Sequence, residues 1–287
     1  EYRVSKPEIW EIYKFFERED FDIIHIHSPF TLGMIGILMG KTFNIPIVGT
    51  YHTLLPEFFP YISKGKFYRV MKKLGQYPTK KFTKFVYSKV NVVVSPSLET
   101  KRLLKSYEIR NVVCIPNGID LKKYRVSTKA IKKVREVYKL PTDKQILLYL
   151  GRISFEKKID IIIRAFKYVE SAEDAFLVIA GRGPYLKDLK KLVKELKVKN
   201  VKFTGYVPSP LLPAIYKACD IFVSASDIET QGMVFLEAMA CGLPIVAVKK
   251  GGVKNIIVDG KNGLLANPND PIDFAIKVVK LLNNEKL

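Results

Sequence analysis

The sequence is poor in the residues that build metal centres and disulfide frameworks. Its three cysteines, Cys114, Cys219 and Cys241, stand far apart in apolar or helical surroundings without ligand spacing. They exclude a disulfide scaffold and a zinc ribbon, and read as reduced core residues of a cytoplasmic chain. His25 and His27 share one face of an apolar run, but no nearby carboxylate or cysteine completes a ligand set, so no metal is expected. No apolar run reaches the length of a membrane span, and the chain opens with neither an initiator Met nor a signal-like segment. Acidic residues are scarce, 28 against 48 Lys and Arg, which gives a net charge of +20. That balance demands an anionic partner: nucleic acid, anionic lipid or a phosphorylated substrate. Helix-turn-helix, zinc-finger and RNP-like patterns are all missing, so nucleic acid is not expected.

What is present is a globular chain of 287 residues, 48% hydrophobic, long enough for two domains. Residues 7–19 carry helical spacing, 21–27 a buried strand, 31–43 a helix with small residues at Gly33, Gly36 and Gly40, and 45–50 the next strand. This alternation predicts a parallel sheet wound with helices. Tyr51-His52-Thr53 follows a strand directly, which puts His52 at the carboxyl edge where open α/β sheets bind ligands; a histidine that caps the start of a loop is the lesser alternative.

Between Glu57 and Glu99 there is no acidic residue, while Lys64, Lys66, Arg69, Lys72, Lys73, Lys80, Lys81, Lys84 and Lys89 alternate with aromatics that include Phe58 and Phe59. Basic heads beside aromatic bodies suit a segment lying on an anionic membrane. A solvated basic face over an ordinary aromatic core is the other reading. Strands at 91–95 and 112–115 flank a helix at 98–107, and a Pro-Asn-Gly-Ile-Asp turn at 116–120 precedes a polar, basic linker. The domain boundary is therefore expected at 122/123, giving domains 1–122 and 123–287.

The second half restarts the same pattern. A strand at 145–150 runs into Gly151-Arg152, with Lys157 further on. Gly151 lets the backbone approach a ligand, Arg152 can fork onto phosphate oxygens, and Lys157 adds a point charge. A strand at 176–180 runs into the turn Gly181-Arg182-Gly183, a weak phosphate-loop signal without the Lys-Ser/Thr of a P-loop. The helix at 185–197 has an ordinary packing stripe, and a strand at 201–205 leads to Tyr206-Val207. The short apolar run 221–225 ends in a polar loop, and Gln231-Gly232-Met233 opens a helix that closes at Gly242-Leu243-Pro244. The first-turn amides of that helix, at Gly232, Met233 and Val234, stabilise an anion. Glu229 stands at its mouth and Glu237 inside it, so the two carboxylates could meet separate parts of one ligand. By themselves they also fit a solvated loop and helix of any α/β domain.

The whole string Ser226-x-x-Glu229-x-x-Gly232-x-x-x-x-Glu237-Ala238-Met239-Ala240-x-Gly242-x-Pro244 resembles the E-x7-E signature of the family 4 retaining glycosyltransferases. The resemblance implies an α/β chain of the GT-B fold: two Rossmann-like parallel-sheet domains with a ligand cleft between them. Measured against that pattern, the first domain lacks its opening strand and Gly-rich loop, and the end lacks a helix that crosses back. An acidic residue common before a strand at 256–258 is replaced by Lys254-Asn255.

By resemblance the chain moves a hexose from a nucleotide diphosphate sugar, with UDP-glucose the expected donor and no cofactor required. Arg152, Lys157 and the amides at Gly232, Met233 and Val234 would take the diphosphate. Glu229 would hold sugar hydroxyls, Glu237 the ribose, and Gly181, Gly183, Tyr206 and Val207 would border the nucleotide. His52 would meet the sugar, and Asn117 and Gly118 would lie by the cleft. The Glu-Thr-Gln-Gly string looks most like diacylglycerol glucosyltransferases. Together with the basic aromatic segment it implies a lipid acceptor such as diacylglycerol and a peripheral place on the inner face of the membrane. A soluble sugar acceptor is the alternative within the same chemistry, and a non-catalytic basic scaffold the alternative outside it.

Overall fold

The computed structural model describes residues 8–58 and 67–284. The chain divides into two units, Glu1–Asn117 and Gly118–Leu287. This division precedes the expected 122/123 because the short turn Leu121–Tyr124 packs against helices of the second unit.

In the first unit the order is α1 (Ile9–Arg18), β1 (Ile24–Ile26), α2 (Thr31–Thr42), β2 (Ile47–Thr50), α3 (Leu55–Phe58), α4 (Phe67–Tyr87), β3 (Val92–Ser95), α5 (Leu98–Ser106) and β4 (Val112–Cys114). The strands form one parallel sheet in the order β1-β2-β3-β4. Parallel neighbours need a crossover, and helices supply it between each pair. Its register pairs Ile26 with Gly49 and Thr50 with Val94, so the ends of β1, β2 and β3 lie side by side. Helix α5 starts where the sequence signals it, with Ser97 Oγ accepting from the amide of Thr100.

The second unit runs α6 (Thr128–Val137), β5 (Gln145–Leu150), α7 (Ile159–Ala172), β6 (Ala175–Ala180), α8 (Leu186–Glu195), β7 (Val201–Gly205), α9 (Leu212–Lys217), β8 (Ile221–Ser224), α10 (Met233–Ala240), β9 (Ile245–Val248), β10 (Gly263–Ala266) and α11 (Pro271–Leu282). All six strands are parallel, in the order β10-β9-β8-β5-β6-β7. Strand side chains alternate between two cores, as a period of two requires. Leu147, Tyr149, Leu177, Ile179, Val223 and Val246 face α7, α8 and α11. Ile146, Leu148, Val178, Phe222, Ile245 and Ala247 face α6, α9 and α10. Burial on both faces is why these strands read as unbroken apolar runs.

The strand order reverses between β5 and β8, and ligands of doubly wound sheets bind outside the carboxyl ends at such a switch point. Residues 256–258 are not a strand. They follow the tight turn Gly251–Asn255, and the edge strand is β10 further on.

Candidate functional site

In the second unit the loops that leave β5 and β8 meet at the switch point. The turn Phe155–Lys157 brings Lys157 Nζ to 2.6 Å from Glu229 Oε1, and the two side chains are only 24% and 14% exposed. Lys158, the next residue, has a left-handed backbone, φ 50°. Its Nζ reaches Asp227 Oδ2 at 2.6 Å and Asn269 Oδ1 at 2.7 Å. Lys250 Nζ meets the same Asp227 oxygen at 3.1 Å, and the amide of Gly252 donates to the carbonyl of Glu229 at 2.9 Å. The Glu229 loop is thus tied to the segments after β5, β9 and β10. Burial alone pushes the Asp227 carboxyl up, but the Lys158 hydrogen bond and charge, with Lys250, outweigh it and hold it below the usual range.

Arg152 is held from two sides. Its guanidinium pairs with the buried Glu156, which also accepts from Ser154 Oγ at 2.5 Å, and its carbonyl accepts from the Tyr149 hydroxyl at 2.9 Å. The β5 and β6 loops lie backbone on backbone here: Ile153 N donates to Arg182 O at 2.9 Å, and a Cβ on Gly183 would sit 2.0 Å from Ile153 O. Gly181 and Gly183 therefore have a packing reason as well as the expected ligand-facing one. Tyr206 is exposed, with the Arg182 guanidinium 5.9 Å from its ring centroid, whereas the Val207 side chain is buried in the core.

Helix α10 starts at Gly232, whose φ of 82° turns the chain, and where a Cβ would meet the Phe235 ring at 2.6 Å. No side chain caps this end, which leaves the first-turn amides, Met233 and Val234 among them, outside the helical ladder. Glu237, one turn further, accepts from the Tyr216 hydroxyl at 2.7 Å and also bonds Tyr124. Burial and then the Glu237 charge push the Tyr124 phenol up to about 12, so this phenol stays a donor at neutral pH. Asn117 closes the first unit and Gly118 opens the second.

In the first unit the ends of β1 and β2 assemble the chain's histidines. His25 Nε2 lies 2.7 Å from Thr50 Oγ1, and His27 Nδ1 lies 2.9 Å from His52 Nε2. The pairs form because residues two apart share a face on each strand and the register sets those faces side by side. Partial burial first, then the neighbouring His27, hold His25 and His52 below the ordinary histidine value.

Of the expected membrane residues, Phe59, Lys64 and Lys66 lie outside the described residues, as do the side chains of Phe58, Arg69, Lys72 and Lys73. Lys80, Lys81 and Lys84 are exposed on α4. Lys81 Nζ lies 4.5 Å from the ring centroid of the exposed Tyr77, and Lys89 Nζ lies 4.3 Å from that of the exposed Phe85. Lys84 pairs with Glu108. Among the described residues no helix is long and apolar enough to cross a membrane.

Asp227, Lys158, Lys250, Glu156, Tyr124 and Tyr216 were not legible as site residues. The one sequence signal for them is the doubled lysine at 157–158, beside a motif that already contains Asp227.

Comparison with known proteins bears on the same regions. Residues 130–287 match the family described as glycosyl transferases group 1, and residues 1–123 match glycosyltransferase family 4. An alpha-monoglucosyldiacylglycerol synthase of Streptococcus pneumoniae is 36% identical over 250 residues, 85% of this chain and 55% of that protein. A D-inositol 3-phosphate glycosyltransferase of Thermomonospora curvata is 28% identical over 279 residues, 91% of this chain and 63% of that protein. The chain thus spans little more than half to under two thirds of the length of these relatives. Among solved structures, Anabaena HepE in complex with UDP and glucose superposes with a TM-score of 0.82 at 22% identity, over 96% of this chain and 72% of that one.

Proposed function

Since the chain belongs to the group 1 glycosyltransferases and has the two parallel-sheet α/β units of the GT-B fold, we propose that it binds a nucleotide diphosphate sugar at the β5/β8 switch point and transfers the hexose to a lipid hydroxyl with retention. The observation that carries this reading is the meeting of Lys157 and Glu229. They lie 72 residues apart in sequence, one with the properties of a phosphate ligand and the other of a sugar ligand, and they touch at 2.6 Å. A donor offers each a better partner: diphosphate oxygens for the ammonium and sugar hydroxyls for the carboxylate.

In this scheme Arg152, Lys157 and the amides at Gly232, Met233 and Val234 neutralise the departing diphosphate, the largest electrostatic contribution to such a step. Glu229 holds sugar hydroxyls. Glu237, with one oxygen anchored by Tyr216, holds the ribose, and Gly181, Gly183, Tyr206 and Val207 border the nucleotide. His52 serves the sugar as a neutral ring, the state its lowered pKa favours, and offsets positive charge that develops at the anomeric carbon. No protein nucleophile is assigned. Attack from the face of the leaving phosphate retains configuration without one.

UDP-glucose is the donor of choice, supported by the UDP and glucose bound to the structural relative. A diacylglycerol-type acceptor at an anionic membrane surface is supported by the name of the pneumococcal relative and by the exposed lysines and aromatics of α4. The inositol phosphate relative favours a second reading, the same donor chemistry with a soluble acceptor.

The test is transfer from UDP-glucose by the protein, with and without anionic vesicles that contain diacylglycerol, for wild type and Glu229→Ala. Vesicle-dependent transfer lost in the variant supports the lipid enzyme. Turnover indifferent to vesicles points to the soluble acceptor, and no turnover with any common nucleotide sugar removes the transferase reading.

A further inference from the structure

Three elements of the second unit close on one carboxylate. Tyr216, near the end of α9, donates its hydroxyl to Glu237 Oε2 at 2.7 Å, and Tyr124, on the turn that packs against α9 and α10, bonds the same side chain. We propose that Tyr216 and Tyr124 are positioning residues that set a preference of this site for ribose over deoxyribose: by fixing the Glu237 carboxylate they aim its remaining lone pairs at the ribose hydroxyls. The proposal rests on the reading of Glu237 as the group that holds the ribose.

The other carboxylates around the switch point are held by cations: Glu156 by Arg152, Asp227 by Lys158 and Lys250, and Glu229 by Lys157. Glu237 is held instead by two phenols. A cation beside it would attract the diphosphate as well, whereas a phenol donates one hydrogen bond and carries no charge. Such a carboxylate suits neutral hydroxyl donors. An ionised carboxylate only accepts, at about four lone-pair sites, so two phenols leave it capacity for the two hydroxyls of a ribose.

The depth of Tyr216 makes the arrangement firm. Its side chain is fully buried, with the ring centroid 5.8 Å from that of Phe222, and a hydroxyl so placed is obliged to keep a protein acceptor. The Val234 carbonyl is the more distant acceptor, at 3.5 Å, so the single proton goes to Glu237. Burial first, then the Glu237 charge, push the Tyr216 phenol well above its ordinary value, and it stays a donor at neutral pH. A glutamate side chain loses rotamer freedom when a ligand orders it, and a carboxylate that is already anchored has less to lose. The anchors therefore matter only to a ligand that Glu237 touches.

The experiment is calorimetric titration with UDP and with 2′,3′-dideoxy-UDP, which lacks both ribose hydroxyls, for wild type, Tyr216→Phe, Tyr124→Phe and the double variant. Wild type is expected to bind UDP about a hundredfold tighter than the dideoxy analogue. Tyr216→Phe keeps the packed ring, so its affinity for the analogue is expected to stay within about twofold of wild type while that for UDP falls about tenfold. Tyr124→Phe is expected to lower UDP affinity about threefold, and the double variant to retain little preference. A preference in both single variants equal to that of wild type overturns the proposal. So does an equal loss for the two ligands, the mark of a merely structural role. Crystals of the ligand-free proteins give a second reading: Glu237 is expected to hold one rotamer in wild type and to spread over several in Tyr216→Phe, and a single unchanged rotamer there also overturns the proposal. If wild type binds UDP and the analogue alike, the ribose preference falls together with the reading of Glu237, while the rotamers still decide whether the phenols position that side chain.

Discussion

Glu229 and Lys157 should respond in opposite ways to UDP without its sugar. At an effective dielectric constant of about 20, unit charges at the observed 2.6 Å attract by roughly 6 kcal/mol before desolvation and screening are subtracted. Both side chains keep some contact with water, so the net worth of the pair falls to about 1 kcal/mol. A diphosphate must draw Lys157 out of that pair while Glu229 repels it. Glu229→Gln keeps the size and removes both effects, so UDP is expected to bind about fivefold tighter than to wild type. Lys157→Ala removes a charge-assisted hydrogen bond of about 1.5–3 kcal/mol, so UDP is expected to bind about ten- to a hundredfold weaker. With the sugar present, Glu229→Gln loses its carboxylate contacts, and turnover is expected to drop about a hundredfold although UDP binds better. Titration calorimetry with UDP at 0.15 M salt, followed by transfer assays, measures all three. Weaker UDP binding in Glu229→Gln, by a factor like that of Lys157→Ala, would refute the competition between the two partners.

Other consequences can be checked separately. Asp227→Asn leaves Lys158 and Lys250 without their counter-charge and is expected to cost the second unit about 3 kcal/mol at pH 7 in denaturant unfolding. Because the folded Asp227 pKa is depressed, the stability it supplies is full above the ordinary aspartate value of 3.8 and is lost as pH falls through the lower folded value. The gap between Asp227→Asn and wild type should therefore close below pH 3.8. Gly183→Ala drives a methyl group into the Ile153 carbonyl and is expected to cost about 1–3 kcal/mol, with weaker UDP binding as the loops separate. Lys80→Ala with Lys81→Ala removes about 2 kcal/mol of attraction to an anionic surface, so vesicle partitioning should fall about thirtyfold on anionic vesicles and stay unchanged on neutral ones. Lys84 is left out because Glu108 already neutralises it.

The parts of this fold that were legible are those whose cause is local. Strands β5 and β6 are buried on both faces and so appear as apolar runs that need no partner to be recognised. The Ile256-Ile257-Val258 run misleads for the same reason. Ile257 is buried beneath a tight turn, and three apolar residues do not reveal whether they are buried in a sheet or beside one. The motif carries Glu229, Glu237 and Gly232 because they lie within one strand-loop-helix unit. Asp227 lies in that unit too, yet its partners stand 69 and 23 residues away. Charges that meet through topology leave no period in the sequence. His27 and His52 are likewise 25 residues apart, and only the parallel register of β1 on β2 makes them neighbours.

The ion pairs around the switch point divide by burial, and the division suggests which of them a ligand can open. Glu156 and Asp227 are each only 5% exposed, so separating either from its cation would strand a charge away from water. The Arg152 guanidinium, as the partner of Glu156, therefore stays in place. Glu229 is the more open carboxylate at 14%, and its partner Lys157 has no second carboxylate within an ion-pair contact among the described residues. On the reading proposed above, exchange with a donor is confined to the Lys157–Glu229 pair, while the buried pairs keep the loop in shape before and after binding. A site arranged this way spends little of its binding energy on ordering itself, and the acidic residues beside the proposed diphosphate site are what keep its cations in position.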